Sequence, residues 1–305
     1  MPAEFATIEW DDATEQSART LVRLALDEDL NQQRDLTSSC ISSPESPAAA
    51  AFVAREEGVV AGLPVLRLVA EVAGTGVEVE LLSTDGDPVR TGEAVARMSG
   101  PAIELLTCER TMLNFLCRLS GVASLTRRFV GEVAGTAARV YDTRKTTPGW
   151  RRLEKYAVNR GGGRNHRTGL FDAVLIKDNH LAHAAAAGLT PADAVQLARR
   201  QAPSGVVIEV EVDSLDQLAQ VLPVGPDIVL LDNMSDAELR KAVAMREAAS
   251  KEVVLEASGG VNLRTVAQIA ASGVDRISVG ALTHSAGSFD FGLDWAPSSD
   301  PGETR

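Results

Sequence analysis

The second half of the chain alternates between apolar and helical segments, and this pattern limits the fold more than any other feature. From about Arg139 onward there are six β-rich runs: ARVYDT, DAVLIKD, VVIEVEV, DIVLLD, VVLEAS and RISVGA. Segments such as ADAVQLARRQA and DAELRKAVAMREAA lie between them and have helical apolar spacing. Strands that are apolar on both faces and alternate with helices predict a parallel sheet. Six or more such repeats favour a β/α barrel over an open sheet.

The first 117 residues have a different pattern and predict a smaller α/β domain. The segment ATEQSARTLVRLALDEDL is an amphipathic helix. Two later segments, AAAFVAREEGVVAG and VEVELLSTDGDPVRTGEAVARMSG, predict short strands joined by turns that contain Gly and Asp. A long helical stretch, PAIELLTCERTMLNFLCRLSGVASLTRRFV, links the two parts.

Charge and composition exclude several classes of protein. The 305 residues carry a net charge of −12, whereas general nucleic-acid binding needs a basic surface. The chain has no run of eighteen apolar residues, and its acidic start does not resemble a signal peptide, so we expect no membrane segment. Three irregularly spaced cysteines do not suit a disulfide framework or a zinc site. We therefore expect a cytoplasmic protein.

Positive charge is concentrated in one stretch of this acidic chain. Between Arg144 and Arg167 there are eight basic residues and a single acid, Glu154. The stretch is either a solvated helix face or a focused binding site for a small polyanionic substrate.

Polar residues stand at or just after the C-terminal ends of the β-rich runs. In β/α barrels this rim carries the active site. A single polar residue there is usually a helix cap or turn former, but capping does not explain six in register. The positions are Asp142–Lys145, Lys177, Glu211, Asp232, Ser258 and Gly280.

Two glycine-containing strand ends predict a phosphate site. The run LEASGGV ends a strand with Ser258, Gly259 and Gly260, which can direct backbone N–H groups at a phosphate. The next strand ends at Gly280. A Gly-Gly pair is often only a turn, but paired loops after the last strands are the usual phosphate site of β/α barrels.

Carboxylates on neighbouring strands predict a second part of the site. Glu209 and Glu211 are two residues apart and therefore share one strand face, and Asp232 ends the next strand. These acids either neutralise Lys177 and Arg167 in an ion-pair network or bind ribose hydroxyls and the waters of a Mg²⁺ ion. Both interpretations are compatible in the empty protein.

Two loops supply the cations. DTRKTTPGW contains Arg144 and Lys145, and GGGRNHRTGL contains His166 and Arg167. Guanidinium groups bind carboxylates and phosphates through two hydrogen bonds, which lysine cannot do. An isolated histidine is more often a core residue, but beside Arg167 we expect His166 to bind an anion. The three glycines at residues 161–163 either belong to this anion-binding loop or form a flexible hinge.

These motifs together resemble the quinolinate phosphoribosyltransferases. The resemblance is carried by DTRKTTPGWRRLEKYAVNRGGGRNHRTGLFDAVLIKDNH, with ERTMLNFL before it and VEVD, LLDN, EASGG and SVGALT after it. It extends more loosely to LALDEDLNQQRDLTS, AREEGVVAGL and DGDPVRTG. One departure is Asn159-Arg160, where relatives often have a cysteine, and it affects no expected ligand.

The resemblance implies a fold and an assembly. It implies an N-terminal α/β sandwich over residues 1–117, joined by the C-terminal segment 286–305. Residues 118–285 would form an incomplete, roughly seven-stranded α/β barrel. The implied assembly is a homodimer with shared active sites, or a higher oligomer of such dimers, in which the partner's N-terminal domain closes the site at the barrel rim.

The resemblance also implies the role of each site residue. Quinolinate would be bound by Arg110, Arg144, His166 and Arg167, with Arg110 reaching into the neighbouring subunit. Thr143 would be a further substrate-binding residue. Lys145 and Lys177 would face phosphoribosyl pyrophosphate, and Glu211 and Asp232 would hold ribose hydroxyls and Mg²⁺ through water; these four would be the catalytic residues. The 5-phosphate would lie against Ser258, Gly259, Gly260 and Gly280.

By the same resemblance the reaction converts quinolinate and phosphoribosyl pyrophosphate to nicotinate mononucleotide, pyrophosphate and CO₂, in de novo NAD biosynthesis. Three alternatives stay open: a phosphoribosyltransferase for another ring acid, a Schiff-base aldolase and a non-catalytic binding module. The aldolase would use Lys177, but Asp178 and Glu211 should keep that lysine charged.

Overall fold

The chain folds into two units, which a computed structural model describes over residues 4–31, 33, 35–43, 46–249 and 252–295. The first, here called the sheet unit, contains residues 8–127 and 147–162 and the described residues from 286 onward. The second, the barrel unit, contains residues 4–7, 128–146 and 163–285. The division after residue 285 coincides with the expected boundary, whereas residues 118–127 and 147–162 belong to the sheet unit and residues 4–7 to the barrel unit. Residues 296–305 of the expected C-terminal segment lie outside the described residues.

Up to residue 132 the described residues form four helices and five strands. They are α1 (Asp12–Leu30), α2 (Leu36–Ile41), β1 (Pro47–Ala54), β2 (Gly58–Val59), α3 (Leu63–Val72), β3 (Glu78–Leu81), β4 (Pro88–Val89), β5 (Ala94–Pro101) and α4 (Ala102–Glu132). The predicted amphipathic helix and the predicted linking helix correspond to α1 and α4.

Beyond residue 132 strands and helices alternate, as the sequence pattern predicts. They are β6 (Arg139–Tyr141), α5 (Arg151–Arg160), β7 (Val174–Ile176), α6 (Asp178–Ala186), α7 (Pro191–Gln201), β8 (Ile208–Val212), α8 (Leu215–Val221), β9 (Ile228–Asp232), α9 (Asp236–Ala249), β10 (Val254–Ser258), α10 (Val266–Ala270), β11 (Arg276–Ser278), α11 (Ala281–His284) and β12 (Phe291–Trp295). A short 3₁₀ turn, Leu222–Val224, follows α8.

The sheet unit is built on a four-stranded antiparallel sheet. Its strand order is β12-β1-β5-β3, so the last described strand pairs with the first. Helix α1 begins at Asp11, whose carboxylate accepts the backbone N–H of Thr14 at 2.8 Å. This N-cap satisfies one of the donors that a helix start leaves open. Ala18, Val22 and Leu26 recur every fourth residue and form the buried stripe of α1.

The barrel unit contains a six-stranded parallel sheet. The strand order is β6-β11-β10-β9-β8-β7, with every neighbouring pair parallel. In β9 and β10 the first four residues are fully buried, which explains why these runs are apolar on both faces. The sheet has six strands instead of the expected seven or so. Arg164 adds only an isolated bridge to Tyr141 on β6, because the Gly-rich loop before it has no further run of strand residues. Among the described residues, no helix combines the length and apolar character needed to cross a membrane.

Candidate active site

The C-terminal ends of the six parallel strands bring the predicted polar residues to one edge of the sheet. Ser258 and Asp232 are register partners on β10 and β9 and end their strands side by side. Lys177 follows β7 directly and is the N-cap of α6, while Gly280 is the N-cap of α11 after β11. These predicted rim residues therefore lie at the same edge of the sheet, and two of them, Lys177 and Gly280, also begin helices.

Lys177, Glu211 and Asp232 form a charged cluster at this rim. The Nζ atom of Lys177 lies 3.5 Å from Oε2 of Glu211, and the two side chains are 46% and 13% exposed. Burial raises the pKa of Glu211, and the negative charge of Asp232 adds to this rise, whereas the charge of Lys177 opposes it. The carboxylates repel each other and the lysine only partly offsets that repulsion. A Schiff-base role for Lys177 is disfavoured, since it is paired with a carboxylate.

The glycine loop after β10 has a backbone that other residues would strain. Gly259 and Gly260 have φ angles of +97° and +58°. A Cβ at Gly259 would also stand 2.1 Å from Oδ1 of Asn233. These positions require glycine, as expected where a backbone approaches a ligand closely.

Lys145 lies beside Gly280 at the next strand end. A Cβ at Gly280 would stand 3.1 Å from Cδ of Lys145 and 3.1 Å from Nε2 of His284. Thr283 donates its hydroxyl to the carbonyl oxygen of Lys145 at 2.7 Å, which fixes this loop. His284 was missed from the sequence, although its place one turn after Gly280 could have indicated it.

Arg144 and Arg167 form the cationic part of the site. The buried Nε of Arg144 has no hydrogen-bond partner in the described part of the chain. Arg167 is 6% exposed, and burial together with the charge of Arg144 lowers its pKa. Two neighbouring guanidinium groups that repel each other are stabilised by a bound anion. Thr143 forms a turn nearby, because its hydroxyl accepts the backbone N–H of Lys145 at 3.0 Å.

His166 lies in the barrel interior and not in an open loop. Its Nε2 atom is 3.1 Å from Oε2 of Glu209 and 3.4 Å from Oε1 of Glu256, and both carboxylates are fully buried. Its backbone N–H donates to Asp142 at 2.8 Å, and its Nδ1 atom lies 2.8 Å from the backbone nitrogen of Arg167. Both ring nitrogens therefore contact protein groups. Direct binding of quinolinate by His166 stays a prediction.

The residues around His166 complete a charge-balanced layer, and the sequence did not indicate them. The ring of Phe5 lies 4.5 Å from the His166 ring, and the guanidinium of Arg276 lies 5.6 Å from the ring of Phe5. Ser278 donates its hydroxyl to Glu256. Burial opposes a charged imidazole, but the carboxylates of Glu209 and Glu256 outweigh it and raise the pKa of His166 to about 10.

Burial also raises the pKa of Glu209, with the charge of His166 opposing the rise. The raised pKa of His166 lies above neutral pH, so the buried imidazole holds its proton between the carboxylates of Glu209 and Glu256.

The same cluster is the one group of three metal-ligating side chains found among the described residues. A neutral histidine that binds a metal through Nε2 carries its proton on Nδ1. The raised pKa of His166 keeps protons on both ring nitrogens at neutral pH, so the cluster suits a proton better than a metal ion. At the rim, Glu211 and Asp232 offer the oxygen atoms that Mg²⁺ prefers, and the raised pKa of Glu211 shows that a nearby cation would be stabilising.

Arg110 is exposed on α4. Its predicted contact with a second subunit stays a prediction.

The fold and this rim define a class of protein. A parallel barrel sheet whose C-terminal strand ends carry a lysine, two acids, a glycine loop and paired arginines is typical of β/α-barrel enzymes that bind phosphorylated, anionic substrates.

Comparison with known proteins identifies the family within that class. Residues 35–120 match the quinolinate phosphoribosyl transferase N-terminal domain, and residues 122–294 match the C-terminal domain. The nicotinate-nucleotide pyrophosphorylase (carboxylating) of Mycobacterium leprae is 45% identical over 280 residues, which are 91% of this chain and 97% of that protein. The chloroplastic enzyme of the same name from Arabidopsis thaliana is 37% identical over 288 residues, covering 90% and 82% of the two chains.

A solved structure agrees with this assignment. The nicotinate-nucleotide pyrophosphorylase from Francisella tularensis superimposes with a TM-score of 0.88 at 36% identity, covering 95% of this chain and 99% of that one. The chain belongs to the quinolinate phosphoribosyltransferase family.

Proposed function

We propose that this chain catalyses the reaction of its family at the rim described above. Quinolinate and phosphoribosyl pyrophosphate are converted to nicotinate mononucleotide, pyrophosphate and CO₂, a step of de novo NAD biosynthesis. The observation that carries the proposal is the pair Arg144 and Arg167, which lies at the same strand ends as a glycine phosphate loop and a carboxylate cluster. A dicarboxylate and a phosphorylated sugar are the ligands that such a set of groups suits.

Quinolinate binding is supported by the arginines. The unpartnered Nε of Arg144 is a donor that a carboxylate would satisfy. Arg167 supplies a second guanidinium, so the two carboxylates of quinolinate can each be neutralised. His166 lies directly beside Arg167, with its Nδ1 atom 2.8 Å from the backbone nitrogen of that residue, and would contact a carboxylate of quinolinate.

Phosphoribosyl pyrophosphate binding is supported by the lysines, the acids and the glycine loop. Its 5-phosphate would lie on the backbone of Ser258–Gly260 and at Gly280, and Lys145 and Lys177 would face its anionic groups. Glu211 and Asp232 would accept hydrogen bonds from ribose hydroxyls. When Mg²⁺ is bound it neutralises the pyrophosphate, and these two acids would hold it through water and substrate.

Catalysis then depends on alignment and electrostatics. The pyridine nitrogen has a lone pair, so making a nucleophile needs no general base. As pyrophosphate leaves, the ribose develops positive charge that Glu211 and Asp232 stabilise. Holding two anions together requires the cations of the rim, because they offset the mutual repulsion. Once ribosylated, the ring nitrogen is cationic, so it stabilises the electron pair that stays on C2 when the C2–carboxylate bond breaks and CO₂ leaves, and a proton from solvent then adds to C2.

We also propose a homodimer in which Arg110 completes the partner's site. Arg110 is an exposed cation on α4, and it belongs to the ERTMLNFL motif of the resemblance. A cytoplasmic location is proposed as well, since Cys40, Cys108 and Cys117 are all free thiols.

A direct assay tests the reaction. Purified protein with quinolinate, phosphoribosyl pyrophosphate and Mg²⁺ should release nicotinate mononucleotide and CO₂ in equal amounts. Nicotinate lacks one carboxylate, so one arginine loses its partner and kcat/KM should be lower than for quinolinate. The decrease should correspond to about 2–4 kcal/mol of activation free energy. Comparable turnover of the two acids would exclude the assignment to quinolinate.

Mixing two inactive variants tests the shared site. An equal mixture of Arg110→Ala and Lys177→Ala chains should regain about a quarter of wild-type activity after random subunit exchange. About half of the dimers are then mixed, and each mixed dimer has one intact site of its two. Exchange itself is verified with differently tagged chains. If exchange occurs and no activity returns, Arg110 acts within its own chain.

A further inference from the structure

Asn233, the residue after β9, has an unusual backbone conformation at the rim. Its φ angle is +54°, and Asn31 is the one other non-glycine residue in the described ranges with a positive φ. Few residues other than glycine adopt this region, and such strained positions cluster at functional sites. The N–H of Asn233 donates to the carbonyl oxygen of Ser258 at 2.9 Å, so the turn after β9 is tied to the end of β10.

The side chain of Asn233 contacts two parts of the site at once. Its Nδ2 atom donates to Oδ2 of Asp232 at 2.7 Å. A carboxylate only accepts hydrogen bonds, so the amide nitrogen and not the amide oxygen must face Asp232. The opposite side of the amide, Oδ1, lies over Gly259, where it occupies the space of a Cβ. The side chain of Asn233 therefore lies between Asp232, which is proposed to bind the ribose, and the glycine loop at Gly259, which is proposed to bind the 5-phosphate.

We propose that Asn233 is a positioning residue for phosphoribosyl pyrophosphate. It holds the carboxylate of Asp232 in one orientation and sets its distance from the loop at Gly259, so that the ribose hydroxyls and the 5-phosphate bind in a single pose. The inference rests on the proposed function, and it adds a residue that acts through Asp232 and Gly259 without itself reacting. Quinolinate binding, which uses Arg144 and Arg167, does not depend on it.

The Asn233→Gly variant isolates the amide. Glycine accepts a positive φ and keeps the backbone N–H to Ser258, so the turn is retained while the side-chain contacts are lost. Phosphoribosyl pyrophosphate should bind about tenfold more weakly in titration calorimetry, the size of a hydrogen bond to a charged group. The affinity for quinolinate should change by less than about twofold. Asn31→Gly is the matched control, because it changes the same residue type at the same φ and should leave both affinities unaltered.

Two further variants separate positioning from folding. Asn233→Asp keeps the shape but places a second carboxylate beside Asp232, so it should weaken binding at least as much as glycine does. In an Asp232→Asn background, Asn233→Gly should cause little further loss, since the carboxylate that it orients is gone. Unfolding midpoints measured for every variant show that the chains remain folded.

The outcomes distinguish this inference from the proposed function. If wild-type protein converts quinolinate and Asn233→Gly binds phosphoribosyl pyrophosphate normally, the inference is wrong and the function stands. Equal losses in the wild-type and Asp232→Asn backgrounds also overturn it, because the amide would not act through Asp232. Absence of any conversion by the wild type instead rejects the proposed function.

Discussion

Strand β8 carries two glutamates, Glu209 and Glu211, that share one face but lie in different environments. Glu209 is fully buried and pairs with His166 inside the barrel. Glu211 is at the rim, is 13% exposed and pairs with Lys177, which is 46% exposed. A distance of two residues along the strand thus separates an interior ion pair from a rim pair whose lysine is open to solvent.

The difference shows that two residues on the same face of a strand can have different roles. In the interior, a buried carboxylate must be paired or protonated, so Glu209 is committed to His166 and its charge cannot serve a ligand. At the rim, water screens the charges, and a substrate can replace solvent beside Glu211 at modest cost. We therefore expect the interior cluster to control stability and the rim cluster to control binding.

The largest expected effect is on folding. Glu209→Ala should lower the free energy of unfolding by about 3–5 kcal/mol, because it leaves a buried ion-pair network without one partner. The matched change Glu211→Ala should alter it by less than about 1 kcal/mol, since the Lys177 that it leaves behind is 46% exposed and remains solvated, but should abolish most of the activity. Urea denaturation followed by tryptophan fluorescence measures both values.

A second interior variant keeps this comparison testable. If Glu209→Ala does not fold, Glu209→Gln retains a hydrogen-bonding side chain of similar shape and should still be less stable than Glu211→Gln. Equal losses at the two positions would contradict the division into an interior and a rim cluster.

The same contrast explains what the sequence could and could not predict. Apolar spacing in DAELRKAVAMREAA predicts a helix that matches α9, and period two correctly puts Glu209 and Glu211 on one face. Depth in the barrel is not encoded in that period. The other two members of its cluster, His166 and Glu256, are 43 and 47 positions away from Glu209 in the chain, and only the packing of the folded barrel unit brings the three together.

The strand count and Phe5 were missed for a related reason. A single bridge at Arg164 is too short to leave a hydrophobic pattern, so six strands and a bridge could not be told from seven strands. Phe5 lies near the start of the chain and contacts a ring more than 150 residues away, a contact that local patterns do not carry.

The second prediction is that different residues of the rim bind the two substrates. Arg144→Ala should weaken quinolinate binding by about 2–4 kcal/mol and phosphoribosyl pyrophosphate binding far less, because a carboxylate contact is lost. Lys177→Ala should have the reverse bias. Titration calorimetry with each ligand measures both.

Matched controls lie on the exposed side of α9, where Arg240→Ala and Lys241→Ala remove the same residue types. Neither should alter the affinity for either ligand. Equal losses for the two ligands in Arg144→Ala would show that the rim binds both through one undivided set of cations.

The effect expected to be smallest, when stated for a change of one pH unit, is the pH dependence of stability. The pKa of His166 is raised to about 10 in the folded protein, against about 6.5 in the unfolded chain. A raised pKa means that the folded state retains a proton which the unfolded chain releases. That stabilisation is complete below about pH 6.5 and is lost as the pH rises towards about 10. The free energy of unfolding should therefore fall across this range by up to about 1.4 kcal/mol per pH unit.

Comparing matched glutamine variants assigns this slope to the interior. Glu209→Gln removes one of the two carboxylates that raise the pKa of His166, so its stability should depend less on pH between 7 and 9.5 than that of the wild type. Glu211→Gln should keep the wild-type slope, because Glu211 is paired with Lys177 and not with His166. Urea midpoints at several pH values measure the slopes. A wild-type slope in Glu209→Gln would mean that the retained proton belongs to another part of the chain.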